Sequence, residues 1–268
     1  FGQDGPWVER PAYDQIIQGI SGLMSVTGDD ETGPIRTGYP VADTVGGMTA
    51  AFAIAAALNA RPRGALIDVS MLDSLLCSMG WVVSNYLVGG TPPRGHGNEN
   101  PTSAPSGAFK TLDGMINIAA NKDQQWVLLT DHLGLSALRD MPDYKTREDR
   151  KANRLALREV LETVLTQKTS ETWVQELNAI GVPTGPILSV PDVLKSDQVA
   201  SRGLLKRFDQ VPGLDRPIDL VATGFKMNGS PLSVSSPPPQ LGQHAQEIWQ
   251  QLGLSEAEIQ ALQDKGVV

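Results

Sequence analysis

The chain has 268 residues and a formal net charge of -8, with no cluster of lysine or arginine that could track a phosphate backbone, so nucleic acid is excluded as a partner. Its 40% hydrophobic and 19% charged residues are those of an ordinary globular protein, and the apolar block Met48–Leu58 falls short of the roughly 20 residues that cross a bilayer. Cys77 is the single cysteine and is read as a buried core thiol in a reducing, cytoplasmic setting.

Residues 1–12 carry Gly2, Gly5, Pro6 and Pro11 and read as a loop. The opening Phe1-Gly2-Gln3-Asp4-Gly5-Pro6 has no initiator methionine and reads as the later part of a longer polypeptide. Ile16, Ile17, Ile20 and Met24 recur at near-helical spacing, which predicts a helix over 14–24, and 28–40 is again loop. A helix is then predicted from about Asp43 to Ala60, ended by Pro62 and Gly64. From Met48 to Leu58 it is apolar on every face except Thr49, the pattern of a helix buried all round.

Asp43 stands at the start of that helix, just before Gly46 and Gly47. An acid there can cap free backbone N–H groups and face the positive end of the dipole, which is the plainest reading. The glycine pair adds another: it lowers helix propensity and leaves room for a ligand to approach the backbone beside the carboxylate. Asp43 is therefore the candidate centre of the chemistry. Asp14, at the start of the preceding helix, is a second acid that could face the same pocket.

Ala65–Met71 alternates as a short strand would, and Leu72–Val88 returns to helix. Prolines and glycines crowd Thr91–Gly107, a long loop of the functional or linking kind, and its Gly and Asn content suits a moving lid. Asp113-Gly114 between two apolar runs signals a hairpin. Helices are predicted at 122–133, 147–166, 170–180 and near 190–195, followed by loop and strand over 211–240. Ser255-Glu256-Ala257-Glu258 is a capping box that opens a last helix over 255–264.

No glycine-rich loop has nucleotide-binding spacing, and no Gly-x-Ser-x-Gly elbow occurs. His96, His132 and His244 lie in no metal-ligand pattern, so no metal site is expected. His132 reads as a partly buried helical residue, and His244 as local structure at a helix start. His96 lies in the long loop, where it is available to a substrate.

Taken in order, several of these segments resemble the class III CoA-transferase family, the CaiB/BaiF group. They are Phe1–Pro6, Tyr13–Gln18 with Ser21–Met24, Ala42-Asp43-Thr44-Val45-Gly46-Gly47-Met48, Ile67–Asp73, Asp113-Gly114, Gly181–Pro186, Leu241–His244, and the ending from Leu262 to Val268. The resemblance implies an α/β fold: the second half of a Rossmann-type large domain joined to a small α+β domain, in interlocked homodimers. On that pattern 1–88 belongs to the large domain, 89–107 is linker and active-site loop, 108–195 is the small domain, and 196–268 returns to the large one. It further implies that the family's N-terminal portion, with most adenine and phosphate contacts, lies before Phe1. Parallel strands are buried on both faces, so the chain alone is expected to expose apolar helix faces and not to retain CoA.

The chemistry implied by the resemblance is transfer of CoA from an acyl-CoA donor to a carboxylic acid, with no permanently bound cofactor and no membrane. Asp43 would be the nucleophile, supported by Asp14, Gly46 and Gly47. Arg10 and Tyr13 match a segment that touches CoA, and Gly95, Gly97, Asn98 and Asn100 belong to the loop that shields the intermediate. This loop departs from relatives that carry a run of glycines there, so shielding would work through the asparagines. Two other functions are weighed. A racemase branch of the same fold has a histidine where this chain has Tyr13, and a phenol is a poor base near neutral pH. The other is a catalytically silent subunit.

Overall fold

The computed structural model describes residues 1–232 and 234–267. Val268, the last residue of the ending matched above, lies outside the described residues. The chain divides into two compact units, Phe1–Ile187 and Leu188–Val268.

The first unit begins with helices α1 (Asp14–Ile20), α2 (Val41–Asn59), α3 (Met71–Ser78) and α4 (Trp81–Gly89). Ile17, Ala42 and Leu75 are the buried centre where α1, α2 and α3 meet, with Met71 and Leu72 packed around them. Gly46 lets α3 approach: a Cβ there would stand 3.2 Å from the Met71 Cγ. Ser70 caps α3, accepting from the Asp73 N–H. The helix predicted over 72–88 is broken at Gly80, whose φ of 51° no side-chain-bearing residue adopts readily.

Three expectations for this half are corrected. The alternating stretch 65–71 forms no strand, because no described segment pairs with it and a lone strand has no ladder to satisfy its backbone. Cys77 is exposed rather than a core thiol. The apolar helix is not buried all round: Met48 is 69% and Phe52 77% exposed, and only Ala42 and Gly46 are buried. The buried centre it shares with α1 and α3 lies in its first turns, and beyond them only one side, at Thr49, Ala50, Ala53 and Ala57, is half-buried. At 19 residues with a mean hydropathy of 1.6, α2 is also long and apolar enough to cross a membrane by length and composition, which the Met48–Leu58 block alone was not.

The second half of the unit has its own core. Strands β1 (Ser106–Lys110) and β2 (Met115–Ala119) form the hairpin expected at Asp113-Gly114, with Phe109 opposite Ile116. After α5 (Asp123–His132), α6 (Arg147–Ala152), α7 (Arg154–Leu165) and α8 (Ser170–Ala179), strand β3 (Thr184–Pro186) returns antiparallel to β2. Ile116 and Ile118 point inward from alternate positions of β2, and Leu157, Leu161 and Leu165 form one stripe of α7 at four-residue spacing. These residues close with Trp126, Trp173 and Leu177 over the sheet. Asn153 interrupts the helix predicted over 147–166.

Arg150 is buried in this core, yet every direction of its guanidinium is answered. It donates to the Ala104 carbonyl at 2.9 Å and to Asp123 at 2.6 Å, and it lies over the Trp126 ring. A buried charge so satisfied fixes the end of the 91–104 loop to the sheet domain. His132 is tied to Glu176 at 2.7 Å, and Lys168 also binds Glu176. Lys168 first and His132 second hold the Glu176 carboxyl below its ordinary range.

The second unit is built from short elements. Helices α9 (Val190–Leu194) and α10 (Asp197–Arg202) lead into two hairpins, β4 (Leu205–Phe208) with β5 (Ile218–Val221) and β6 (Lys226–Met227) with β7 (Ser230–Pro231). Helix α11 (Ala245–Gln251) precedes α12 (Glu256–Asp264), which starts at the capping box expected there, with Ser255 and Glu258 bonded reciprocally.

Candidate active site

The first turn of α2 is where the sequence placed the chemistry, and its capping differs from the plain reading. The helix begins at Val41, after Pro40, so Asp43 is its third residue and not its cap. The cap comes from the preceding helix: Asp14 Oδ1 accepts the Ala42 N–H at 2.8 Å. Asp14 Oδ2 accepts from Gln18 Nε2 at 2.6 Å, one turn along α1. Gln18 has no exposed surface, and its Oε1 accepts from Thr37 N and Oγ1 at 3.0 and 3.2 Å. Thr37, Gln18, Asp14 and Ala42 thus form one chain of bonds that fixes the entry to α2 against α1.

The result is an uncommitted carboxylate. Among the described residues the Asp43 side chain makes no hydrogen bond and no ion pair, and it is exposed. Of the first N–H groups of the helix, that of Val41 goes to the Tyr39 carbonyl and that of Thr44 to the Pro40 carbonyl. With Ala42 bonded to Asp14, the Asp43 N–H is left without an acceptor among the described residues.

Asp43 shares an open cleft of about 510 Å³ with Tyr13, Asp14, Gln15, Ile16, Arg36 and Pro40. The structure therefore puts Asp43 and Asp14, the two acids read as facing one pocket, in one cleft with Tyr13, whereas Gly46 and Gly47 are not in its lining. Arg10 is not in this lining; its guanidinium lies 4.9 Å from the centre of the Trp7 ring. Arg36 and Gln18 were not singled out from sequence. For Gln18 a signal existed, the i,i+4 spacing to Asp14 on one helix face; for Arg36, in an irregular loop, there was none.

The two glycines after Asp43 have different surroundings. Gly46 faces Met71 and serves helix packing, whereas a Cβ on Gly47 would have nothing within 4 Å. Gly47→Ala is accordingly expected to raise stability by about 0.5–1 kcal/mol, since alanine is the better helix former. If the space beside Gly47 receives substrate, the same change lowers turnover. A melting curve and initial rates on one preparation check both, and a variant that gains stability at full turnover removes Gly47 from the site.

The 94–104 loop is tethered more than a free lid would be. The Gly97 N–H donates to the Gly28 carbonyl at 2.7 Å, Arg154 Nη1 donates to the Asn100 carbonyl at 2.9 Å, and Glu99 pairs with Arg158. A Cβ on Gly95 would overlap the Gly28 carbonyl oxygen, so glycine is required for this crossing. Gly97 itself has a φ of 56°. Gly97→Pro thus removes a tether and imposes a disallowed φ, and it tests the anchoring of the loop as much as its motion. Asn98 and Asn100 line a shallow recess with Gly97, Glu99 and the β1–β2 edge; neither they nor Gly95 lines the Asp43 cleft. Among the described residues no group of three or more His, Cys, Asp or Glu is arranged to hold a metal ion.

Residues 1–245 match the family model described as CoA-transferase family III. A succinate–glutarate CoA-transferase of Agrobacterium fabrum is 33% identical over 94% of this chain and 63% of its own length. The mouse succinyl-CoA:glutarate CoA-transferase is 33% identical over the whole of this chain and 62% of its own. An acetyl-CoA:oxalate CoA-transferase of Acetobacter aceti is 34% identical over 88% of this chain and 58% of its own. The chain thus spans a little under two thirds of the length of these relatives. A crystal structure of a CaiB/BaiF family protein from Brucella suis superposes with a TM-score of 0.81 at 33% identity, over 94% of this chain and 66% of that one.

Proposed function

This chain belongs to CoA-transferase family III, and from that premise we propose that Asp43 is the covalent nucleophile of a transfer of CoA from an acyl-CoA to a carboxylic acid. The observation that carries the reading is the division of labour at the start of α2. Asp14 takes the capping role, so the Asp43 carboxylate stays free to attack. A carboxylate is a weak nucleophile, and it gains from being aimed and from having the charge it creates stabilised. The unbonded Asp43 N–H and the positive end of the helix are on the same turn as this carboxylate, and both favour negative charge developing beside it.

The steps balance without a cofactor. An Asp43 carboxylate oxygen attacks the donor thioester carbon, the C–S bond breaks, and CoA leaves as thiolate with a mixed anhydride on Asp43. The thiolate then attacks the Asp43 carbonyl, releasing the donor acid and leaving an aspartyl-CoA thioester. The acceptor carboxylate attacks that thioester, CoA thiolate leaves again, and the thiolate takes the acyl group from the new anhydride. Asp43 is regenerated as carboxylate. One turn after Asp43 the helix surface at Gly47 is open, and Tyr13 and Arg36 line the cleft that holds the carboxylate.

The relatives' names contain succinate, glutarate and oxalate, which favours short dicarboxylic acids as the first substrates to try. We further propose a cytoplasmic homodimer of the family type, in which the apolar α2 is covered by protein and not by lipid. The family match runs through that helix, which supports this reading. The racemase reading has less support, because Tyr13 is exposed at the cleft in place of a histidine. The test is a panel of acyl-CoA donors and acids read by mass spectrometry, with 2-methylacyl-CoA in deuterated water as a second arm. CoA exchange between acids is expected, with no deuterium entering the α-position. Deuterium uptake without an acceptor acid would turn the assignment to proton transfer.

A further inference from the structure

The cleft that holds Asp43 has three charged side chains in its lining, and they differ in what they are already bonded to. Both oxygens of Asp14 are engaged, one by the Ala42 N–H and one by Gln18. Asp43 is the attacking group of the proposed transfer. Arg36 is the cation of that lining, and among the described residues its guanidinium makes no hydrogen bond and no ion pair. Its root is nevertheless fixed. The N–H of the next residue, Thr37, donates to Gln18 Oε1 at 3.0 Å, and Gln18 Nε2 in turn donates to the Asp14 carboxylate that caps α2. Arg36 and Asp43 thus stand beside the two ends of one chain of hydrogen bonds, and both line one cleft.

Resting on the reading of Asp43 as nucleophile, we propose that Arg36 selects the acceptor by pairing with the second, non-reacting carboxylate of a dicarboxylic acid. The charge of the cleft changes during the reaction. With Asp43 free, the lining carries two carboxylates and one guanidinium. Once Asp43 is held as the aspartyl-CoA thioester its charge is gone, and the carboxylate that remains, Asp14, has both oxygens bonded. The acceptor arrives at that stage, and Arg36 is then the unspent charge it meets. A guanidinium offers paired donors in the plane of a carboxylate, a fit that a neutral amide or an alkyl end does not return. The carboxylate so paired is the remote one, because the attacking carboxylate needs a free lone pair and bidentate pairing would blunt it. Arg36 lies exposed, so solvent screens the pair and keeps the discrimination near the lower end for such bonds.

The test is the acceptor dependence of turnover, since reaction fixes which carboxylate lies at Asp43 and leaves the other end for Arg36. The full gene product is assayed with oxalate, succinate and glutarate and with their half-amides, in which a neutral amide of the same shape replaces one carboxylate. At least one diacid is expected to exceed its half-amide about tenfold or more in kcat/KM, the equivalent of one charge-assisted hydrogen bond. Arg36→Gln breaks no hydrogen bond or ion pair of the fold. It is expected to collapse that ratio to near one by raising the KM of the diacid, with the half-amide little changed. A ratio that survives Arg36→Gln overturns the proposal, as does the lack of a diacid preference in the wild type. Hydroxylamine trapping of an acyl group on Asp43 keeps the two readings apart. Labelled Asp43 with an unchanged ratio removes Arg36 alone, whereas a collapsed ratio with no label at Asp43 removes the nucleophile alone.

Discussion

Asp43→Asn is expected to abolish CoA transfer while leaving the fold intact. Removing the nucleophile of a covalent mechanism costs about four orders of magnitude or more in turnover, as losses of nucleophiles in other enzymes do. The structural cost is small, because Asp43 caps nothing: Pro40 precedes the helix and Asp14 receives the Ala42 N–H. What the amide forfeits is the favourable meeting of a carboxylate with the helix dipole, about 0.3–1 kcal/mol. Melting temperature should therefore change by a few degrees at most for a domain of this size. Initial rates beside a thermal melt decide the matter, and a variant within tenfold of wild type would remove Asp43 from the chemistry.

Asp14→Asn is expected to fail differently, with stability and turnover falling together. Asp14 accepts two hydrogen bonds, one from the Ala42 N–H and one from Gln18 Nε2. An asparagine has one acceptor oxygen, so its amide group would meet a donor on one side. Gln18 cannot simply turn over, because its Oε1 is held by Thr37 N and Oγ1. Loss of a cap together with a buried unmatched donor costs about 1–3 kcal/mol. The first turn of α2 then shifts, and displacement of a reacting group by about 1 Å lowers turnover about a hundredfold.

A rescue separates this from a general lesion. In the double variant Asp14→Asn with Gln18→Glu the polarity of the pair is exchanged: the asparagine amide donates to the glutamate, and its oxygen still accepts from Ala42. Stability and most of the activity should return. If the double variant is no better than the single one, the bond chain from Thr37 to Ala42 does not position Asp43.

The pairing of Asp14 with Ala42 also marks where sequence reasoning stops. Local signals were legible because their causes are local. Asp113-Gly114 forms the turn between β1 and β2, and Ser255 with Glu258 caps α12. A cap donated across 28 positions has no such signature, so an acid in the first turn of α2 was read as its own cap. Composition showed that α2 is apolar on nearly every face but could not show which face is met: Ala42 and Gly46 are buried and Ala53 and Ala57 half-buried, while Phe52 and Leu58 stay exposed. Gly46 and Gly47 are indistinguishable in sequence, and only the position of Met71 separates a packing glycine from an open one. The 65–71 stretch alternates like a strand, yet a strand exists only with a partner, and no described segment supplies one. Asn100 and Arg154 are 54 positions apart in the sequence, and the tie of Arg154 to the Asn100 carbonyl is what brings loop and helix together.

If Asp43 carries the transferred group, a hydroxylamine trap marks that carboxylate and no other. The protein, purified with whatever its gene encodes ahead of Phe1, is incubated with an acyl-CoA donor, quenched with hydroxylamine and digested, and the peptides are read by tandem mass spectrometry. An anhydride or thioester on a carboxylate is converted to a hydroxamate, which marks the residue that bore it. A donor-dependent hydroxamate is expected on Asp43 and none on Asp14, whose two oxygens are both engaged in holding the helix. A hydroxamate on any other carboxylate, or turnover with no hydroxamate at Asp43, would contradict that role for Asp43.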